Sequence, residues 1–293
     1  MEQLSQLMRN WSDFLWGAPM IILLFGTHIF LTIRLKGIQR HTFKAIKLSI
    51  TKDDSSDGEI SQFGALATAL AATIGTGNII GVSTAIALGG PGAVFWCWIS
   101  GLFGMATKYG EALLSIQYRQ KNNSGSFLGG PMMTIEKGLH CKPLAIIFAL
   151  LTILATFGAG CTVQSHAISG IMRSTFFIPE WFSGLIVTII IGIVILGGVK
   201  SISRVCEKLV PFMTLFYILG CLMILAMNYH YIIPALGLII SSAFTKQSLT
   251  GGMIGGGLML ACRYGIARGL FSNESGLGTA PIAAASARTK NPV

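Results

Sequence analysis

Charge is what this chain has least of. Asp, Glu, Lys and Arg make up 11% of its 293 residues, against about 25% in a soluble domain. Between Ile60 and Thr107, 48 residues pass without an Asp, Glu, Lys, Arg or His. A surface facing water needs charge, so an ordinary soluble domain is excluded and a polytopic membrane protein is implied. As one helix the run would be about 70 Å long, more than two hydrocarbon thicknesses, so the chain must cross, turn and cross back. Gly89-Gly90-Pro91-Gly92 is the turn.

Acidic residues are scarcer than basic ones, 11 against 21, for a formal net charge of +10. The basic residues lie in short loops between apolar runs and form no cluster on a soluble domain, which argues against nucleic acid and for orientation signals. The six cysteines, at 97, 141, 161, 206, 221 and 262, show no CxxC spacing and no Cys/His cluster, so neither a metal site nor a disulfide framework is expected. No basic segment with a small-residue cleavage site frames the first apolar run, which Asp13 precedes. A cleavable signal peptide is therefore not expected.

Apolar periodicity gives an all-α chain of about seven crossings. The first runs from about Phe14 to Ile33; a basic segment, Arg34 to Lys52, then lies on the membrane surface, followed by an acidic, Ser-rich stretch from Asp53 to Glu59. The second and third crossings form the charge-free run, the third ending near Tyr118 with Lys108 and Glu111 as a snorkelling pair at its polar end. The fourth spans about Leu144 to Ile171, the fifth Trp181 to Gly198 and the sixth Leu209 to Met227. After Pro234 comes a weakly apolar, re-entrant stretch, and a seventh crossing from about Leu249 is broken by Arg263, Arg268 and Glu274. Three segments result: 1–59, a span and a basic loop; 60–230, a first five-helix repeat; and 231–293, the start of a second.

With the Arg34–Lys52 loop inside, fifteen Lys and Arg fall on the cytoplasmic side and three, Arg9, Arg173 and Lys246, on the other. That asymmetry predicts an N-terminus outside and a C-terminus inside.

Two crossings are polar where a plain anchor would be aliphatic. The first holds Thr73-Ile74-Gly75-Thr76-Gly77-Asn78 at its centre; the second holds Ser272-Asn273-Glu274-Ser275-Gly276-Leu277-Gly278-Thr279. Backbone unwinds at membrane depth only where protein or a water-filled cavity satisfies it, and paired broken helices about 190 residues apart point to an inverted-repeat transporter. Gly75 and Gly77 also suit tight helix packing, the plainer reading. A phosphate loop is excluded by the missing Lys-Ser/Thr ending.

At these residues the chain resembles the alanine or glycine:cation symporter family. The blocks are Ala71-Ala72-Thr73-Ile74-Gly75-Thr76-Gly77-Asn78-Ile79, Gly89-Gly90-Pro91-Gly92-Ala93-Val94-Phe95-Trp96, Gly129-Gly130-Pro131, Val163-Gln164-Ser165, Val210-Pro211-Phe212-Met213 and Arg268-Gly269-Leu270-Phe271-Ser272-Asn273-Glu274. The resemblance implies a LeuT-type fold in a bacterial or archaeal plasma membrane, carrying alanine or glycine with sodium; it implies no enzyme, no catalytic residue and no organic cofactor. Family members continue past the Phe-Ser-Asn-Glu block, so the chain is expected to be an N-terminal portion that does not catalyse coupled transport alone. The alternative is a membrane fragment, inactive or assembling with a separately encoded remainder; a channel is a third reading.

The chemistry expected of the two breaks follows. Sodium prefers hard oxygens, for which Thr73, Ile74 and Asn78 are the candidates. The amides near Gly75, Thr76 and Gly77 would take a substrate carboxylate at a half-helix start, with Gln164 orienting the substrate. Ser272 and Asn273 would supply polar contacts and Phe271 would limit side-chain volume. Cys161 and His166 stand where the family commonly has asparagine, and His166 reads as a packing residue before a proton relay. Glu274 reads as a structural partner of Arg263 or Arg268 before an ion ligand.

Overall fold

A computed structural model describes residues 2–51, 58–123, 125–244 and 257–289. The described chain is helical apart from a two-residue antiparallel hairpin, β1 (Gln120–Lys121) with β2 (Phe127–Leu128). The helices are α1 (Glu2–Arg34), α2 (Thr42–Ile50), α3 (Gln62–Thr73), α4 (Gly77–Gly89), α5 (Gly92–Gln117), α6 (Pro131–Gly138), α7 (Lys142–Phe176), α8 (Glu180–Leu196), α9 (Gly198–Met227), α10 (Ile232–Phe244), α11 (Gly257–Asn273) and α12 (Ala280–Ala285). Among the described residues α1, α7 and α9 are long and apolar enough to cross a membrane, and α3 with α4 forms one further span broken in its middle.

Helices run beyond two of the expected crossings. The chain is helical from Glu2, ahead of the crossing expected from about Phe14, with a turn at Trp16 and Gly17 between Glu2–Leu15 and the apolar run. The helix that holds the crossing expected from Leu209 begins at Gly198, since Lys200 to Lys208 continue it toward its polar end. The seventh is continuous through Arg263 and Arg268 and breaks only at Glu274, where φ turns positive. Arg263 is not a partner held for Glu274 alone: its guanidinium donates to the Asp13 carbonyl at 3.1 Å and approaches the Asp13 carboxylate at 3.4 Å. Leu249, most of the Asp53–Glu59 stretch and Gly251 to Gly256 lie outside the described residues.

Local chemistry explains the helix ends. Ser61 caps α3, accepting from the Gly64 amide at 2.9 Å. Pro131, Pro143 and Pro281 occupy first-turn positions of α6, α7 and α12, where a missing N–H is harmless. Gly90, at φ +75°, stops α4 where a side chain would be strained.

The chain divides into two compact units. The first comprises 1–43, 77–110 and 216–277. In it α4 and α11 pack antiparallel, Gly77 beside Phe271 and Ser272 and Gly89 beside Leu260 and Tyr264. Leu24, Ile266 and Leu270 form its apolar centre with Met20, Ile21, Phe25, Trp96 and Cys262. The second comprises 44–76, 111–215 and 278–293. In it the start of α3 adjoins the end of α12 through the Ile60–Ala287 bridge. Each broken helix contributes one half to each unit.

The interior is built from small residues. Ala67, Ala85, Ala93, Ala106, Ser100, Ser115, Ser203 and Ser275 are buried, while long runs of Leu, Ile and Phe on α7, α8 and α9 are exposed. A soluble protein buries its large aliphatics; a lipid-solvated one has no reason to, and holds its helices together by close approach of small side chains.

Candidate functional site

In the first break Ile74 leaves the helix with extended backbone, φ −85° and ψ 98°, and Gly75 follows as a bend before the chain coils again at Thr76. A helix that stops leaves its last carbonyls without intrahelical partners, and a helix that starts does the same with its first amides. Gly77 to Gly81 open α4 as a wide π-type turn, a geometry common at functional positions because it leaves one backbone group outside the regular ladder.

The expected residues sort into two sets. Within the second unit, a Cβ built on Gly75 would lie 3.3 Å from Gln164 Nε2, so these two positions are neighbours and only glycine leaves the amide that room. Thr73 Oγ1 donates to the Ala69 carbonyl at 2.9 Å. Thr76 Oγ1 is buried with no hydrogen-bond partner, a polar atom that must be satisfied by something other than the described protein groups. Cys161 and His166 are exposed on α7 while Gln164 is half-buried, so the two replaced asparagine positions do not share Gln164's surroundings.

Within the first unit, Ser272 Oγ donates to Asn78 Oδ1. A Cβ on Gly77 would stand 3.3 Å from both Phe271 Cδ1 and Ser272 Cα, which places Phe271, Ser272, Gly77 and Asn78 around one point of close approach. Asn273 is committed to its own turn: its Oδ1 accepts from the Ser275 amide at 2.9 Å and its Nδ2 reaches Ser100 Oγ at 3.5 Å. It closes the end of α11.

Sequence reasoning passed over the support of the second break. Glu274, Gly276 and Gly278 all have positive φ. Along α5, Ser100 faces Asn273, Gly104 faces Ser275 and Thr107 faces Gly276, a stripe of small residues with helical spacing that follows the turn. His28 of α1, fully buried, completes it through Nδ1 to Thr107 Oγ1 at 2.7 Å. On the second unit's half of the break, Ser115 Oγ donates to the Pro281 carbonyl at 2.6 Å, and Arg119 Nη1 donates to the Ala285 and Ala287 carbonyls at 3.0 and 2.7 Å. The stripe and the lone histidine in an apolar span were both visible signals.

The profile described as "Sodium:alanine symporter family" matches residues 1–293. The chain belongs to this family. Among curated relatives, "Sodium/alanine symporter AgcS" of Methanococcus maripaludis is 51% identical over 288 residues, covering 96% of this chain and 63% of that protein. An "Uncharacterized transporter" of Haemophilus influenzae is 50% identical over 283 residues, covering 96% and 62%. "Putative sodium/proton-dependent alanine carrier protein YrbD" of Bacillus subtilis is 39% identical over 279 residues, covering 95% and 57%. The chain thus spans less than two thirds of the length of each. The family is one of transporters and not of enzymes.

Proposed function

We propose that the protein carrying these residues is a secondary active transporter that moves small neutral amino acids, alanine before glycine, into the cell with sodium. The observation that carries this reading is the Asn78–Ser272 hydrogen bond, which joins the polar centres of the two broken crossings in a family whose relatives include a protein described as a sodium/alanine symporter. An inverted-repeat, LeuT-type architecture accounts for two crossings broken at polar centres, and a plasma-membrane location with the C-terminus inside follows from the basic residues.

Sodium is coordinated by Thr73 Oγ1, the Ile74 carbonyl and Asn78 Oδ1. These oxygens are neutral, so the ion brings the only full charge and does not compete with a buried carboxylate. The amino-acid carboxylate takes the amides of Gly75, Thr76 and Gly77, at the positive end of α4. Gln164, beside Gly75, orients it. Phe271, held against Gly77, restricts the side chain to about a methyl group, because one more methylene in a packed site costs about 1–3 kcal/mol.

The test is uptake. Protein in proteoliposomes with an imposed inward sodium gradient should concentrate labelled alanine, and collapse of the gradient should abolish it. Downhill, gradient-independent flux of ions without alanine accumulation would overturn the symport reading in favour of a pore.

A further inference from the structure

His28 belongs to α1, outside both broken helices, yet it is fully buried and lies against one of them. Its ring is fixed on one edge: Nδ1 shares a hydrogen bond with Thr107 Oγ1 at 2.7 Å. On the other edge Nε2 is buried with no hydrogen-bond partner. The residue it borders is Gly276, in the middle of the second break. A Cβ built there would fall 2.9 Å from Leu24 Cδ2, 3.9 Å from His28 Cε1 and 4.0 Å from Thr107 Cγ2, so α1 and α5 together cradle this turn. Gly276 has φ +86°, and the turn it belongs to runs Glu274-Ser275-Gly276, with Ser275 itself buried against Gly104.

A histidine kept for packing alone would bury an apolar isostere at less cost, since an unmatched polar nitrogen away from water loses its hydration for nothing. Both tautomers leave Nε2 polar. If Thr107 donates to Nδ1, Nε2 carries the N–H; if Nδ1 donates, Nε2 carries the lone pair. A water that reaches the turn at Gly276 satisfies either arrangement, donating to the lone pair or accepting from the N–H, whereas a carboxylate oxygen satisfies only the tautomer in which Nε2 donates. We propose that His28 is a positioning residue of the transport machinery whose Nε2 holds an oxygen ligand at the second break, with Thr107 fixing the ring for that purpose. That ligand is a substrate carboxylate oxygen or a water bound in the turn. The inference rests on the symport reading, since it gives the second break a role in binding.

Two amides separate the two ring nitrogens. His28→Asn places a polar atom near Nδ1 and deletes the Nε2 position, whereas His28→Gln reaches the Nε2 position. Sodium-driven alanine uptake and the sodium- and alanine-induced shifts of the melting temperature are read for both, with Thr107→Val and Thr107→Ser beside them. The expected result is rescue by Gln and loss with Asn, with Thr107→Ser following wild type and Thr107→Val following Asn. A carboxylate ligand appears as an alanine KM raised about tenfold in Asn with maximal rate retained, the loss of one hydrogen bond to a charged group. A water in the turn appears as a lowered maximal rate with KM retained. If Asn transports and shifts like wild type, the ring is only a tether to Thr107 and the proposal is overturned. It is equally overturned if Gln is as impaired as Asn. Wild-type protein that accumulates no alanine defeats the symport reading instead; the melting shifts on added sodium or alanine then still decide between Asn and Gln.

Discussion

Asn78 and Ser272 carry the most weight for their size, because each satisfies the other across two segments that sequence alone could only suspect of meeting. Removing either leaves a polar partner unmatched, a loss of about 1–3 kcal/mol. Asn78→Ala should lower the sodium sensitivity of alanine uptake at least fivefold, and Ser272→Ala should do so less, since a water can replace a hydroxyl more readily than a carbonyl oxygen held in line. Sodium-titrated uptake of both singles and the double checks this; strictly additive effects would mean that the two side chains act independently. Gly77 is the companion test of size. A methyl there meets Phe271 and the Ser272 backbone at 3.3 Å, so Gly77→Ala should raise the alanine KM while sparing expression. Measured KM for alanine against glycine should diverge further in this variant, the larger substrate suffering more.

At the scale of elements, the molecule depends on turns that only glycine tolerates and on side chains that hold the halves of broken helices. Gly276 combines positive φ with a neighbour that would stand 2.9 Å from a methyl. Gly276→Ala should therefore lower stability by about 2 kcal/mol, read as a drop in melting temperature of the purified protein. Arg119 does a different job: it is the C-terminal cap that α12, a six-residue helix, does not make for itself. Arg119→Ala strips charge-assisted bonds from two carbonyls, a loss of about 2 kcal/mol, and should raise protease sensitivity in 285–289, whereas Arg119→Lys, with one point charge for a planar fork, should recover only part. How much of this could be read beforehand depended on the range of the interaction. The breaks at Gly75–Gly77 and Ser272–Thr279 were legible because unwinding at membrane depth needs small and polar residues in one short stretch. The lone histidine at 28 and the small residues Ser100, Gly104 and Thr107 were visible as residues but their roles were not, nor was that of Arg119, since each acquires its role from a contact at least 79 positions away or from a turn whose dihedrals no pattern announces. Where polar side chains, Gln3 to Asp13 and Lys200 to Lys208, precede an apolar stretch, helix extends beyond the segment expected to cross, which apolar periodicity alone does not mark.

For the whole molecule, orientation is the property that charge decides. Fifteen basic residues on one side against three on the other give a strong bias for the Lys121 and Lys137 loop to stay in the cytoplasm. Within the second unit the packing makes the same demand by a separate route. Arg119 binds the carbonyls of residues 285–289, Ile60 bridges Ala287, and Glu59 Oε1 accepts from the Phe127 amide at 2.6 Å, so the segments around 59, 119, 127 and 287 must share one side whatever that side is. Of the basic residues assigned inside, Arg119, Lys121 and Arg288 lie in those very segments, so a reversal of one would carry all three across together. The proposed topology therefore has a single failure mode, and one pair of positions probes it. With the six native cysteines replaced, Lys121→Cys should be labelled by a membrane-impermeant thiol reagent only after the membrane is opened, while a cysteine placed at Ser174, in the last turn of α7 beside the Arg173–Glu180 ion pair, should react in intact cells. Labelling of position 121 from outside would reverse the orientation and, with it, the direction in which both broken helices present their ends.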